Sequence, residues 1–136
     1  MFDELKKYKN NGHFFFSKGN IFREVSKDVP NLPGVFYVLR LAKGKVSLVY
    51  IGKTGTITNN ETFKNQGLKD RLNNIQKGIK SQEFFEQKIN EEDIDALDIY
   101  WFVTFDNKNE DLPRFVEGLL LQKLFDFNGR LPEWNV

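Results

Sequence analysis

Three side chains in this sequence stand where they could do chemistry, and each also has a plain structural reading. Glu117 falls at helical spacing from Leu120, Leu121 and Leu124, which puts it on an apolar wall. A carboxylate there is costly unless it binds something. A hard cation such as magnesium suits it, because magnesium takes one or two carboxylates and completes its shell with waters and phosphate oxygens. A local pair with Arg114, one turn earlier, is the structural alternative. Arg71 lies at the edge of the stripe Leu68, Leu72 and Ile75 and so leans toward the body of the protein. Its guanidinium can clamp a phosphate through paired hydrogen bonds, or form an ion pair with Glu117 or near Asp70. Tyr50 closes an apolar run just before a polar loop, where a phenol can reach solvent and pass a proton to or from a water. A half-buried strand tyrosine is the plainer reading. Lys53 can touch a phosphate or carry surface charge.

The elements that must hold these residues are legible from the pattern. Residues 34–41 and 46–51 read as two strands joined by a hairpin turn at Gly44. Residues 52–66 are polar and read as a long loop. Helical spacing runs over residues 68–77, with Gly78 as a stop, and a second helix covers residues 81–89. Residues 97–105 are aromatic and β-branched, which predicts a central strand. Asp111 and Pro113 open a final helix to residue 127, closed by Gly129. Near the N-terminus, residues 2–9 suggest a short surface helix. Residues 13–16 form an apolar patch docked on the core, and His13 is a surface or packing residue. The order predicts an α+β fold, with a small, mainly antiparallel three-stranded sheet flanked by helices.

Composition limits the function classes. The chain has 136 residues, of which 40% are hydrophobic and 15% aromatic, enough for one domain with one core. No apolar run is long enough to span a membrane and no signal-peptide block opens the chain, so a soluble, cytoplasmic protein is expected. With no cysteine and one histidine, a zinc site of those ligands is close to excluded. The net charge of +1 conceals an uneven spread. Residues 34–80 carry Arg40, Lys43, Lys45, Lys53, Lys64, Lys69, Arg71, Lys77 and Lys80 against Glu61 and Asp70. Residues 81–112 carry ten acidic residues against Lys88 and Lys108. A basic block beside an acidic one suits a polyanion on one face, or is ordinary solvated charge.

Four pieces occur together in order: Gly34-Val35-Phe36, Tyr50-Ile51-Gly52-Lys53, Gly67-Leu68-Lys69-Asp70-Arg71-Leu72, and Glu117 followed by Leu131-Pro132-Glu133-Trp134-Asn135. The arrangement resembles the GIY-YIG nuclease superfamily from Pro33 to Asn135. It implies one GIY-YIG-like domain over residues 1–136, with a core over 33–136 and an N-terminal extension over 1–32. The implied reaction is Mg2+- or Mn2+-dependent hydrolysis of a phosphodiester in nucleic acid, with DNA as the expected substrate. On this resemblance Tyr50, Arg71, Glu117 and Asn135 are the catalytic set and Glu117 holds the metal. Lys53, Lys64, Lys69 and Arg71 contact nucleic acid. Asn135 would orient a water or a neighbouring side chain.

The sequence departs from that pattern at two residues and in two lengths, the loop between Tyr50 and Arg71 and the segment from Glu117 to Asn135 both being longer than usual. The first motif ends in Phe36 where the family has tyrosine, and Ile75 stands one turn after Arg71 where many members have histidine or tyrosine. A phenyl ring keeps the packing but moves no proton. Losing a general base lowers the rate by about 10²–10⁴-fold. Two other readings therefore stand beside the endonuclease: a catalytically impaired nucleic-acid-binding module on the same fold, and a protein-interaction domain.

Overall fold

A computed structural model describes residues 2–55, 67–76 and 79–135. After a 3-10 turn at Asp3–Leu5 the elements are β1 (Asn11–Phe16), α1 (Phe22–Val25), β2 (Gly34–Ala42), β3 (Lys45–Lys53) and α2 (Leu68–Asn73). They continue as β4 (Asn74–Gln76), β5 (Ile79–Lys80), α3 (Ser81–Glu92), β6 (Ala96–Val103) and α4 (Pro113–Asn128). The main sheet has the order β1-β6-β2-β3, and β4 and β5 form a separate ribbon. Every neighbouring pair in the main sheet is antiparallel. The α+β class is as the sequence predicts, but the sheet has four strands rather than three. The extra strand is β1, which contains the patch at residues 13–16. Phe14 and Phe16 face the core while His13 and Phe15 face outward, and a run of three phenylalanines hides that alternation.

Strand alternation makes the sheet two-sided. Phe36 and Val38 of β2, with Leu97, Ile99, Trp101 and Val103 of β6, bury one face against Phe22, Leu68, Leu72, Phe85 and Ile89 from α1, α2 and α3. On the other face Val35 and Ile51 pack under Val116, Leu120 and Leu124 of α4, together with Phe2, Leu5 and Tyr8. Residues 2–9 are therefore a core-forming segment rather than a surface helix, and the N-terminal extension is built into both layers.

Three local features set the site's geometry. Lys43 and Gly44 both have positive φ, 52° and 73°, giving the tight β2–β3 turn its twist. A bulge at Val38/Leu39 leaves Val49 as the extra residue on β3. Val49 and Tyr50 consequently bury on the same face, which strict alternation would forbid. Helix α2 ends at Asn73, four residues before its predicted end. The Asn73 and Asn74 amides donate back to the carbonyls of Lys69 and Asp70, and the backbone then leaves helical geometry into β4. Helix α4 starts on Pro113 and closes at Gly129 with φ 74°, as its sequence predicts. No helix among the described residues is long and apolar enough to cross a membrane.

Candidate active site

The residues singled out by type converge where β2 and β3 meet α2 and α4. Strand β3 runs on to Lys53, so Tyr50 lies within the strand rather than at its end, and its side chain is buried, only 5% exposed. Its ring packs against Phe36 with centroids 5.8 Å apart. Gly52 makes room for this packing: a Cβ there would stand 2.3 Å from Cζ of Phe36.

Arg71 reaches inward from α2, as its place on the helix stripe predicts. Its guanidinium lies over the Phe36 ring at 5.5 Å, and Nη2 donates to Tyr50 Oη at 3.1 Å. Nη1 is buried and has no partner among the described residues. Neither of the ion pairs weighed for Arg71 forms among the described residues. Asp70 is instead bridged to Asn31, whose amide donates to its carboxylate and accepts from its N–H. A buried guanidinium nitrogen without an acceptor leaves a desolvation penalty of about 1–3 kcal/mol unmet.

Glu117 projects from α4 between buried Val116 and Leu120 and is half-buried. Among the described residues no hydrogen bond or ion pair holds its carboxylate, so the pair with Arg114 is not made. Burial pushes its carboxyl above the ordinary glutamate range, while the charges of Lys53 and Arg71 pull it back down. The carboxylate thus feels both cations without being neutralised by either. Lys53 Nζ is 3.4 Å from the Thr54 carbonyl at the end of β3.

Asn135, expected to orient a water or a neighbouring side chain, has its amide on the backbone of Ile51. Its Nδ2 donates to the Ile51 carbonyl at 2.8 Å and its Oδ1 accepts from the Ile51 N–H at 2.9 Å. Trp134 N–H donates to the Val49 carbonyl at 2.9 Å. The C-terminal segment therefore pairs with the outer edge of β3, and Asn135 acts on the Tyr50-Ile51-Gly52 backbone.

The remaining predicted contacts are scattered. Lys69 lies on α2 with Nζ 3.4 Å from the Lys27 carbonyl, and Lys64 lies outside the described residues. Arg40, counted in the basic block, is bidentate to Glu133 at 2.9 and 3.1 Å and also donates to Glu92 at 2.5 Å. The basic and acidic blocks therefore neutralise each other at that point. His13 is remote from the site: it bonds Asp98 at 2.8 Å and stacks on Tyr100 at 4.6 Å.

Two participants escape sequence reasoning. Phe36 is a platform for Arg71, visible in sequence only as a missing tyrosine. Thr54 ties the strand ends together, its hydroxyl accepting from Gly34 N–H at 3.1 Å and its N–H donating to the Gly34 carbonyl at 3.0 Å. Nothing in its local sequence signals that role. A cavity of 630 Å³ lies elsewhere, between the end of α4 and Phe2, Leu48 and Leu131, and none of Tyr50, Arg71 and Glu117 lines it.

Glu117 is the carboxylate here that could take a divalent cation. Among the described residues no three His, Cys, Asp or Glu side chains cluster, so a cation on Glu117 would complete its shell with water and phosphate oxygens, as magnesium readily does. Comparison with protein-family models, curated proteins and solved structures finds no match to this chain.

Proposed function

We propose that the protein is a divalent-metal-dependent endonuclease that hydrolyses phosphodiester bonds in DNA. The observation that carries this reading is the guanidinium of Arg71. One nitrogen is anchored on Tyr50, while the other is buried without a partner among the described residues, within the field of the half-buried Glu117 carboxylate. A phosphate oxygen would supply the acceptor Nη1 lacks, and the planar donor fork suits it. Glu117 would hold Mg2+ or Mn2+, which when bound stabilises charge on the leaving oxygen. Arg71, with Lys53, would offset charge that builds on the phosphate. Tyr50 accepts from Arg71 and keeps its own O–H proton, so it can donate a hydrogen bond to a water or an oxygen at the site. Asn135 and Trp134 would keep the β3 backbone that carries Tyr50 in place.

Phe36 favours a second reading, a nucleic-acid-binding module with impaired chemistry. Its ring lies under Arg71 and supplies packing but no proton. The two readings part in a plasmid-nicking assay with magnesium or manganese, run beside Glu117→Ala. Cutting that needs metal and disappears in the variant supports the enzyme. Salt-sensitive DNA binding without cutting supports the module, since phosphate contacts release counterions. Absence of both would remove the nucleic-acid reading.

A further inference from the structure

The outer edge of β1 carries the backbone groups for one more strand. In an antiparallel pair, residues alternate between those bonded across the pair and those facing away. The Val103 N–H donates to the Asn10 carbonyl, which fixes the phase. With Asn11 opposite Phe102 and Phe16 opposite Leu97, the residues bonded to β6 are Gly12, Phe14 and Phe16. The N–H and C=O groups of Asn11, His13 and Phe15 point outward. Among the described residues none of these groups has a backbone partner.

Strand edges of this kind are usually guarded by a charge, a proline, a bulge or a covering segment. Strand β1 reads Asn-Gly-His-Phe-Phe-Phe, with no charge at carboxylate or ammonium and no proline, and its register with β6 is unbroken. Phe15 is 52% exposed. We propose that this edge pairs with β1 of a second copy of the chain, antiparallel about a two-fold axis at His13, to make one continuous sheet across the dimer.

The edge is self-complementary in that arrangement. His13 faces its symmetry mate, and Asn11 faces Phe15 of the second copy, so all three outward residues fall into bonded pairs. His13 already ends a stack of rings across the sheet. It lies 4.6 Å from Tyr100 at 8°, and Tyr100 lies 5.0 Å from Tyr37 at 11°. Bonded residues of adjacent strands stand about 5.5 Å apart at Cα, close enough for the two imidazoles to continue the stack. On the other face Gly12 falls opposite Phe14 of the second copy, in the closer kind of pair. Gly12 has no side chain to oppose that ring, and Trp101 of its own chain already lies over the glycine. A foreign strand would need a matching sequence to make these pairs, whereas the second copy has it by symmetry.

Sedimentation equilibrium over a concentration series tests the pairing, together with residue-resolved amide hydrogen exchange. The mass should rise from 16.0 kDa toward twice that value. The Asn11, His13 and Phe15 amides should become at least tenfold more protected as it does, while Gly12, Phe14 and Phe16 stay protected throughout. Phe15→Lys should weaken association at least tenfold with circular dichroism unchanged. Should that variant misfold, exchange in the wild-type chain still decides the matter. A chain that stays at 16.0 kDa overturns the proposal. So does a dimer whose three outward amides exchange freely, which would place the contact on another surface, such as Phe115 and Leu119 of α4.

Discussion

Along β3 the outermost backbone groups are taken by the chain itself: Trp134 donates to Val49, and the Asn135 amide brackets both groups of Ile51. Along β1 the equivalent groups of Asn11, His13 and Phe15 meet no backbone partner among the described residues. The sheet is continuous between these edges, yet the candidate site gathers on the side of the closed one. Closure there draws on distant parts of the chain. Trp134 Nε1 donates to Glu92 at 3.0 Å, and Arg40 ties Glu92 to Glu133. A strand that positions Tyr50 against Arg71 needs its backbone held still, and an edge strand is the least constrained place in a sheet. The clamp resolves that conflict at β3, while β1 is left available for association.

The sharpest way to break the comparison is to open the closed edge. Trp134→Ala should lower unfolding free energy by about 3–5 kcal/mol, as loss of a buried aromatic does, measured by urea denaturation. An effect below about 1 kcal/mol would show that the clamp does not hold the edge. Asn135→Ala removes the two bonds to Ile51 and should cost about 1–2 kcal/mol. If the clamp positions Tyr50, this variant should also lower kcat with little change in KM.

Substitution of Glu117 should have a smaller effect, of opposite sign. Its raised carboxyl pKa means the folded state favours the protonated form, so its contribution to stability is present at low pH and is lost as pH rises through the folded value. Glu117→Gln should therefore stabilise the protein at neutral pH, read as a higher Tm, with the gain shrinking below the ordinary glutamate range. The smallest effect belongs to the open edge. In dilute solution Phe15→Lys should change unfolding free energy by under about 0.5 kcal/mol, since the side chain is exposed.

What sequence could reveal followed from how local each signal was. Strands β2, β3 and β6 and helices α3 and α4 announce themselves through short-range periodicity, the Gly44 turn, Pro113 and Gly129. Strand β1 was hidden because Phe15 is apolar yet faces outward. The early end of α2 depended on side chains of Asn73 and Asn74 competing for the helix's own carbonyls. The inward lean of Arg71 and the buried setting of Glu117 were readable from helical spacing. The burial of Tyr50 goes beyond the half-buried strand tyrosine its sequence suggests, because one bulge residue re-aims it, and the Arg40–Glu92–Glu133 cluster joins residues with no local relation. Asn135 was picked out by resemblance, but its pairing with Ile51 requires knowing which strand forms the edge.

The two tryptophans of this chain stand one beside each edge strand. Trp134 is part of the β3 clamp, with Lys88 over its ring at 5.4 Å, while Trp101 lies against Gly12 of β1, within 2.8 Å of where a Cβ would be. The protein thus carries a separate intrinsic fluorophore for each edge. A Trp101→Phe variant would let emission follow opening of the C-terminal clamp, and a Trp134→Phe variant would let it follow events at β1.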